Sequence, residues 1–238
     1  MDSRVPEIRK HLKKKLDAYR YEHTLGVEFT CQALAMRYGY DLDKADLAGL
    51  LHDSEKRFEN PVMLQKCLDR GIPVTAEEER DPSLLHAKLG AWMAENKYGV
   101  DDPEILSAIT CHTTGKPGMS LLDKILYVAD YIEPRRSKAA NLPEMRKLAF
   151  IDLDQACFEI MESILEYLKS TGCQIDPMTE AACQDMRRVV SEKQKETAGA
   201  AGETDQDKEE QSVESVKRNG KACSRGFGRE KRRRRKNY

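Results

Sequence analysis

No stretch of this chain alternates polar and apolar residues with period two between hairpin turns, which excludes a β-sheet as its framework. Long hydrophobic runs are also missing. Nothing approaches the roughly 20 apolar residues that a membrane-spanning helix requires, and the N-terminus, MDSRVPEIRKHLKKKL, has no apolar signal core. The seven cysteines (Cys31, Cys67, Cys111, Cys157, Cys173, Cys183 and Cys223) form no CxxC pair and are odd in number, which argues against a disulfide framework and for a reducing cytosol. No segment repeats another. These absences leave a cytoplasmic, helical protein as the expectation.

The charge that is present is unevenly placed. The chain of 238 residues has a net charge of −1, but residues 1–190 carry 26 basic and 32 acidic side chains, whereas residues 191–238 carry 14 and 9. From about residue 195 the composition becomes polar, acidic and nearly free of large apolar groups, and then turns basic in KRNGKACSRGFGREKRRRRKNY. Such a segment buries too little surface to offset its ordering entropy. The expected organisation is one all-α domain over residues 1–194 and a disordered acidic-then-basic tail over 195–238. The basic end offers non-specific charge to nucleic acid or anionic lipid, or is simply a solvated tail.

Pro, Gly, Asp and Asn punctuate the helices. Ile8, Leu12 and Leu16 share a face of a Lys-rich first helix, and a second is predicted over 19–38, stopped by Gly39. Residues 43–53 read as a short apolar helix ending on a His-Asp pair. Asn60-Pro61 reads as an N-cap and first-turn proline, with Gly71 ending that helix. Further helices are predicted over 83–97, from Asp102-Pro103 to HTTG with Gly115 as terminator, and over 120–132, 141–150, 152–169 and 177–195.

Four of the five histidines form an ordered series: His23, His52 followed by Asp53, His86 and His112, closed by Asp130. His11, among lysines on an exposed-looking helix, reads as an ordinary surface residue. The others sit beside runs of apolar residues. Burying each imidazole or carboxylate separately there is costly, and gathering them on metal cations removes that cost. The donor set suits first-row transition metals better than calcium or magnesium. It exceeds what one tetrahedral ion needs, so a pair of ions is expected, an arrangement that recurs in phosphate-bond hydrolysis at metal separations of about 3.5–4 Å.

The full series, together with EHTLGVEFTCQALA, LAGLLHDSEK, LLHAKLGAWMA and AITCHTTGKPGMSLLDKILYVADYIEPRR, resembles the HD-domain phosphohydrolase superfamily and, more narrowly, the YqeK family, over roughly residues 5–190. The resemblance implies an HD-domain helical bundle and a di-iron centre, with manganese or other divalent ions as substitutes. It also implies symmetrical bis(5′-nucleosyl)-tetraphosphatase activity: diadenosine tetraphosphate and related dinucleoside tetraphosphates cut into two nucleoside diphosphates by a metal-bound hydroxide. His23, His52, Asp53 and Asp130 would hold one ion, and His86 and His112 the second, with Asp53 shared. Asp53, Lys56 and Arg135 are the catalytic candidates. Thr113, Thr114, Gly115, Tyr131, Arg135 and Arg136 are the candidates for substrate contact; Ile132, Arg57 and Lys116 are further ones.

Two other readings stand beside this one. HD-type sites also hydrolyse nucleoside monophosphates, dNTPs, cyclic nucleotides or guanine alarmones. A nucleotide- or RNA-binding module is the non-enzymatic alternative. A homodimer is expected from exposed apolar helix faces.

Overall fold

The computed structural model describes residues 2–198, so most of the expected tail lies outside the described residues; residues 195–198, assigned to that tail, are helical. Among the described residues there is no strand. The order is α1 (Val5–Lys15), α2 (Ala18–Tyr38), α3 (Leu42–Leu51), α4 (Asn60–Leu68), α5 (Ala76–Arg80), a 3₁₀ turn (Pro82–Leu84), α6 (Leu85–Tyr98), α7 (Pro103–Cys111), α8 (Leu121–Ile132), α9 (Leu142–Leu148) and α10 (Leu153–Thr171). A last helix begins at residue 177 and enters the same core through Ala182, Cys183 and Met186.

Side-chain caps set most of these boundaries by satisfying the free amides of the first turn. Asp17, Asp41, Asp102 and Asp152 accept from the amides of α2, α3, α7 and α10. Thr75 with Glu78, and Ser120 with Asp123, form capping boxes. The Thr75 box starts α5, a helix not expected from the sequence. Asn60 is not the cap of α4: the cap position falls on Glu59, which makes no side-chain capping bond.

The helices α2, α3, α7 and α8 pack around one another, with α6 beyond α7 and α10 beyond α8. Val27, Leu34, Leu50, Leu51, Ile109 and Leu126 are fully buried between them, each stabilising the fold by roughly 1.5–3 kcal/mol. One contact controls the spacing. A Cβ at Gly49 would lie 2.7 Å from the Glu28 Cα atom and 3.1 Å from its nitrogen. Only glycine lets α3 approach the α2 backbone so closely, and that approach brings the end of α3, with its His-Asp pair, to the helix bearing His23.

Candidate metal centre and its cavity

The six members of the histidine-aspartate series reach the interior from five elements. His23 comes from α2, His52 is the C-cap of α3 with Asp53 next, His86 opens α6, His112 is the C-cap of α7, and Asp130 lies in the last turn of α8. The four imidazoles form a row. Centroids are 5.4 Å apart for His23 and His52, 5.1 Å for His52 and His112, and 5.0 Å for His112 and His86.

Asp53 stands across this row. Its Oδ2 lies 3.7 Å from the Nε2 atoms of both His23 and His52. Its Oδ1 lies 3.2 Å from His86 Nε2 and 3.5 Å from His112 Nε2. Asp130 Oδ1 approaches His23 Nε2 at 3.1 Å and His52 Nε2 at 3.9 Å. Donor atoms of His23, His52 and Asp130, and separately of His52, Asp53 and His112, lie within 4.8 Å of one another.

The far nitrogens of the rings are anchored. The Nδ1 of His52 bonds the Gly49 carbonyl at 2.7 Å, that of His86 the Ser83 carbonyl at 2.5 Å, and that of His112 the Ile109 carbonyl at 2.7 Å. A carbonyl only accepts, so these Nδ1 atoms carry the hydrogens and the Nε2 lone pairs face the cluster. His23 Nδ1 instead meets Glu133 Oε1 at 3.1 Å. Anchoring of this type orients metal-ligating histidines.

The residues fit a cation. His86 and His112 turn their Nε2 atoms toward each other at 3.2 Å, and two lone pairs at that distance repel unless a cation lies between them. His52 Nε2 and Asp53 Oδ1 are buried without a hydrogen-bond partner, a cost that coordination removes. Protonation states agree. Burial draws the His52 pKa down to about 3 and lowers that of His86, leaving both neutral. Burial works against charge on Asp53 as well, but the neighbouring imidazoles and Lys56 outweigh it and hold the carboxyl well below its ordinary range. For Asp130 the same opposition from burial is overcome by His23, His52 and Arg136.

Cations stand around the cluster. Arg20 Nη1 lies 2.8 Å from Asp53 Oδ2 and Lys56 Nζ 3.4 Å from Oδ1. Arg136 binds the Asp130 carboxylate at 2.6 Å and its carbonyl at 3.0 Å. Arg135 turns away and pairs with Glu22 at 3.2 Å on the surface, so the structure places Arg136, not Arg135, at the cluster. The reason is local. The Arg135 amide is captured by Glu133 Oε2 at 2.8 Å, and Arg146 clamps the carbonyls of Ile132, Glu133 and Arg136, each at 2.9 Å.

A cavity of about 360 Å³ opens beside the cluster, lined in part by His112, Thr113, Asp130, Tyr131 and Arg136. The Tyr131 hydroxyl donates to Asn141 at 2.7 Å. Thr114, Gly115 and Lys116 face a second cavity that shares Thr113 with the first. Ile132 is buried away from the first cavity and does not flank it. Arg57 lies over the Phe58 ring, and His11 sits against Lys97 and Tyr98.

Arg20, Glu133, Tyr19 and Tyr127 went unread in the sequence. Arg20 precedes His23 by three residues and Glu133 follows Asp130 by three, the spacing that puts two side chains on one helical face. That periodicity was the available signal.

The HD domain model matches residues 20–135, which enclose all six residues of the series. A protein from Bacillus subtilis named symmetrical bis(5′-nucleosyl)-tetraphosphatase is 39% identical over 168 residues, covering 71% of this chain and 89% of that one. One of the same name from Halalkalibacterium halodurans is 36% identical over 174 residues, covering 71% and 90%. The crystal structure of a "predicted HD superfamily hydrolase involved in NAD metabolism" from Clostridium acetobutylicum superposes with a TM-score of 0.74 at 36% identity, covering 77% of this chain and 96% of that one.

Proposed function

The chain belongs to the HD-domain family that includes the symmetrical bis(5′-nucleosyl)-tetraphosphatases, and from that membership we propose that it hydrolyses diadenosine tetraphosphate at the central anhydride, releasing two ADP. The observation that carries the proposal is Asp53, whose two oxygens face separate pairs of imidazoles in a cluster that borders, through His112 and Asp130, a cavity large enough for a nucleoside.

His23, His52, Asp53 and Asp130 would hold one divalent ion, and His86 and His112, sharing Asp53, the other. The imidazole-carboxylate set suits iron, with manganese as a substitute. When bound, the pair supplies Lewis acidity toward phosphate oxygens and activation of water at neutral pH.

The chain's own residues do the rest. Asp53 and Asp130 are ionised and the lowered imidazoles of His52 and His86 stay neutral, so these four donors are ready without losing a proton first. Arg20 and Lys56 beside Asp53, and Arg136 beside Asp130, present positive charge to a polyanionic bridge. Such preorganised charge is worth more in a partly dry cleft than in water. Tyr19 and Tyr131 wall the cavity where a base would lie, and the Thr113 hydroxyl stands at its edge.

We extend the proposal to the protein's surroundings. The six cysteines among the described residues are all free, which supports a reducing cytoplasm. Exposed Phe29, Met36 and Ile151 support a homodimer. The eleven basic residues of 217–238 support loose contact with nucleic acid.

Product analysis tests the function. Protein loaded anaerobically with Fe²⁺ or Mn²⁺ and given diadenosine tetraphosphate is expected to yield ADP alone. ATP with AMP would contradict central cleavage.

A further inference from the structure

A substrate cut at its centre has a nucleoside on each side of the reacting bond, so the site needs two seats. The 360 Å³ cavity supplies one, with Tyr19, Tyr131, Leu142 and Ile164 in its walls. Tyr127, only 3% exposed, is also among its lining residues, and its buried hydroxyl has no hydrogen-bond partner among the described residues.

The second cavity, of about 260 Å³, shares the lining residue Thr113 with the first and is lined also by Leu84 and Lys88, which bracket His86, and by Thr110 and Cys111, which precede His112. We infer that this second cavity seats the other nucleoside of the dinucleotide, an inference that rests on the function proposed above.

Its chemistry suits an uncharged group. The two lining cations are already paired: Lys88 with Glu78 at 2.8 Å, and Lys116 with Asp123 at 3.0 Å. Glu78 and Asp123 lie outside the metal cluster and would stay with these lysines, whereas Asp53 and Asp130, which pair with Arg20, Lys56 and Arg136, would be shared with the metal ions. Asp176 is occupied in capping the Met178 amide at 2.7 Å. The hydroxyls of Thr110 and Thr114 donate to the carbonyls of Leu106 and Gly115 at 2.8 and 3.0 Å, which leaves their lone pairs to accept from a ribose. Leu84 and the half-exposed Met178 provide apolar surface for a base. Concave apolar walls with a few polar groups are what small-molecule seats require.

The seats are unequal. Three tyrosines, Tyr19, Tyr127 and Tyr131, line the first and none lines the second. Product ADP should bind the metal-loaded chain at two sites of different affinity.

Thr110→Trp fills the second cavity from an exposed helical position, and Thr110→Val controls for loss of the hydroxyl alone. Equilibrium dialysis with ADP is expected to count two per wild-type chain and one per Thr110→Trp chain. The KM for diadenosine tetraphosphate should rise about tenfold in Thr110→Trp, equivalent to roughly 1.4 kcal/mol. The KM for adenosine 5′-tetraphosphate, which has one nucleoside, should stay constant. A single ADP per wild-type chain, or an equal change in both KM values, would overturn the second seat. If diadenosine tetraphosphate is not cleaved but dialysis still falls from two to one, the proposed reaction fails and the seat stands.

Discussion

On one side of Asp53 stand His23, His52 and Asp130; on the other stand only His86 and His112. The first side contains a second carboxylate, and its His23 is oriented by the side chain of Glu133. The second side has two rings oriented by backbone carbonyls. The difference teaches how binding and openness are divided. A dianionic half has the stronger hold on a cation, and a half with fewer protein donors leaves more positions for substrate oxygens. Asp53 reaches both, through Oδ2 on one side and Oδ1 on the other.

The largest effect is therefore expected where the halves join. Asp53→Ala should lower turnover by about 10³-fold or more, several kcal/mol of barrier, while circular dichroism reports unchanged helical content. Full activity in that variant would rule out the two-metal centre. Glu133→Gln should act on one half only, weakening one of two metal affinities by about 10–100-fold, the usual scale for a lost outer partner of a ligating histidine. Calorimetric metal titration would reveal it as one shifted step beside one unchanged step.

The adjacent arginines sharpen the same asymmetry. Arg136→Ala should raise the KM for the tetraphosphate about tenfold, in line with a lost charge-assisted bond of roughly 1.5–3 kcal/mol tempered by exposure. Arg135→Ala, which removes only an exposed pair with Glu22, should change it by less than about twofold.

The smallest effect concerns protons on the metal-stripped protein. Burial opposes charge on His23, but Asp130 and Glu133 outweigh it and raise its pKa, whereas burial lowers the pKa of His86 and takes that of His52 to about 3. Ring resonances in NMR should show His23 protonating before His86 and His52 on acidification. For His52 the unfolded chain binds a proton below about pH 6.5 that the folded chain refuses. Its contribution to stability therefore falls as pH drops from about 6.5 toward 3, and the melting temperature should fall with it. A melting temperature that rises over that interval would contradict the burial of a neutral His52.

The six-residue series was legible because its chemistry is expensive to bury in any other form. The helix starts at Asp102 and Ser120 and the stop at Gly39 were legible because caps and left-handed residues are local. What escaped depends on contacts distant in the chain. Spacing cannot tell which of Arg135 and Arg136 turns inward after Pro134. That choice is made by Glu133, held against His23 where Gly26 leaves room for it, and by Arg146 ten residues further on. Tyr127 reads as an ordinary core residue of α8, and only the fold shows that it also lines a cavity. The α5 helix escaped because it has five residues, too few to show a periodicity.

The most direct test of the account is to count metal ions per chain, by elemental analysis after anaerobic loading, in the wild type and in Asp53→Asn. Two equivalents are expected in the wild type and fewer than one in the variant, since both halves lose their shared ligand. Two equivalents retained without the Asp53 carboxylate would contradict it.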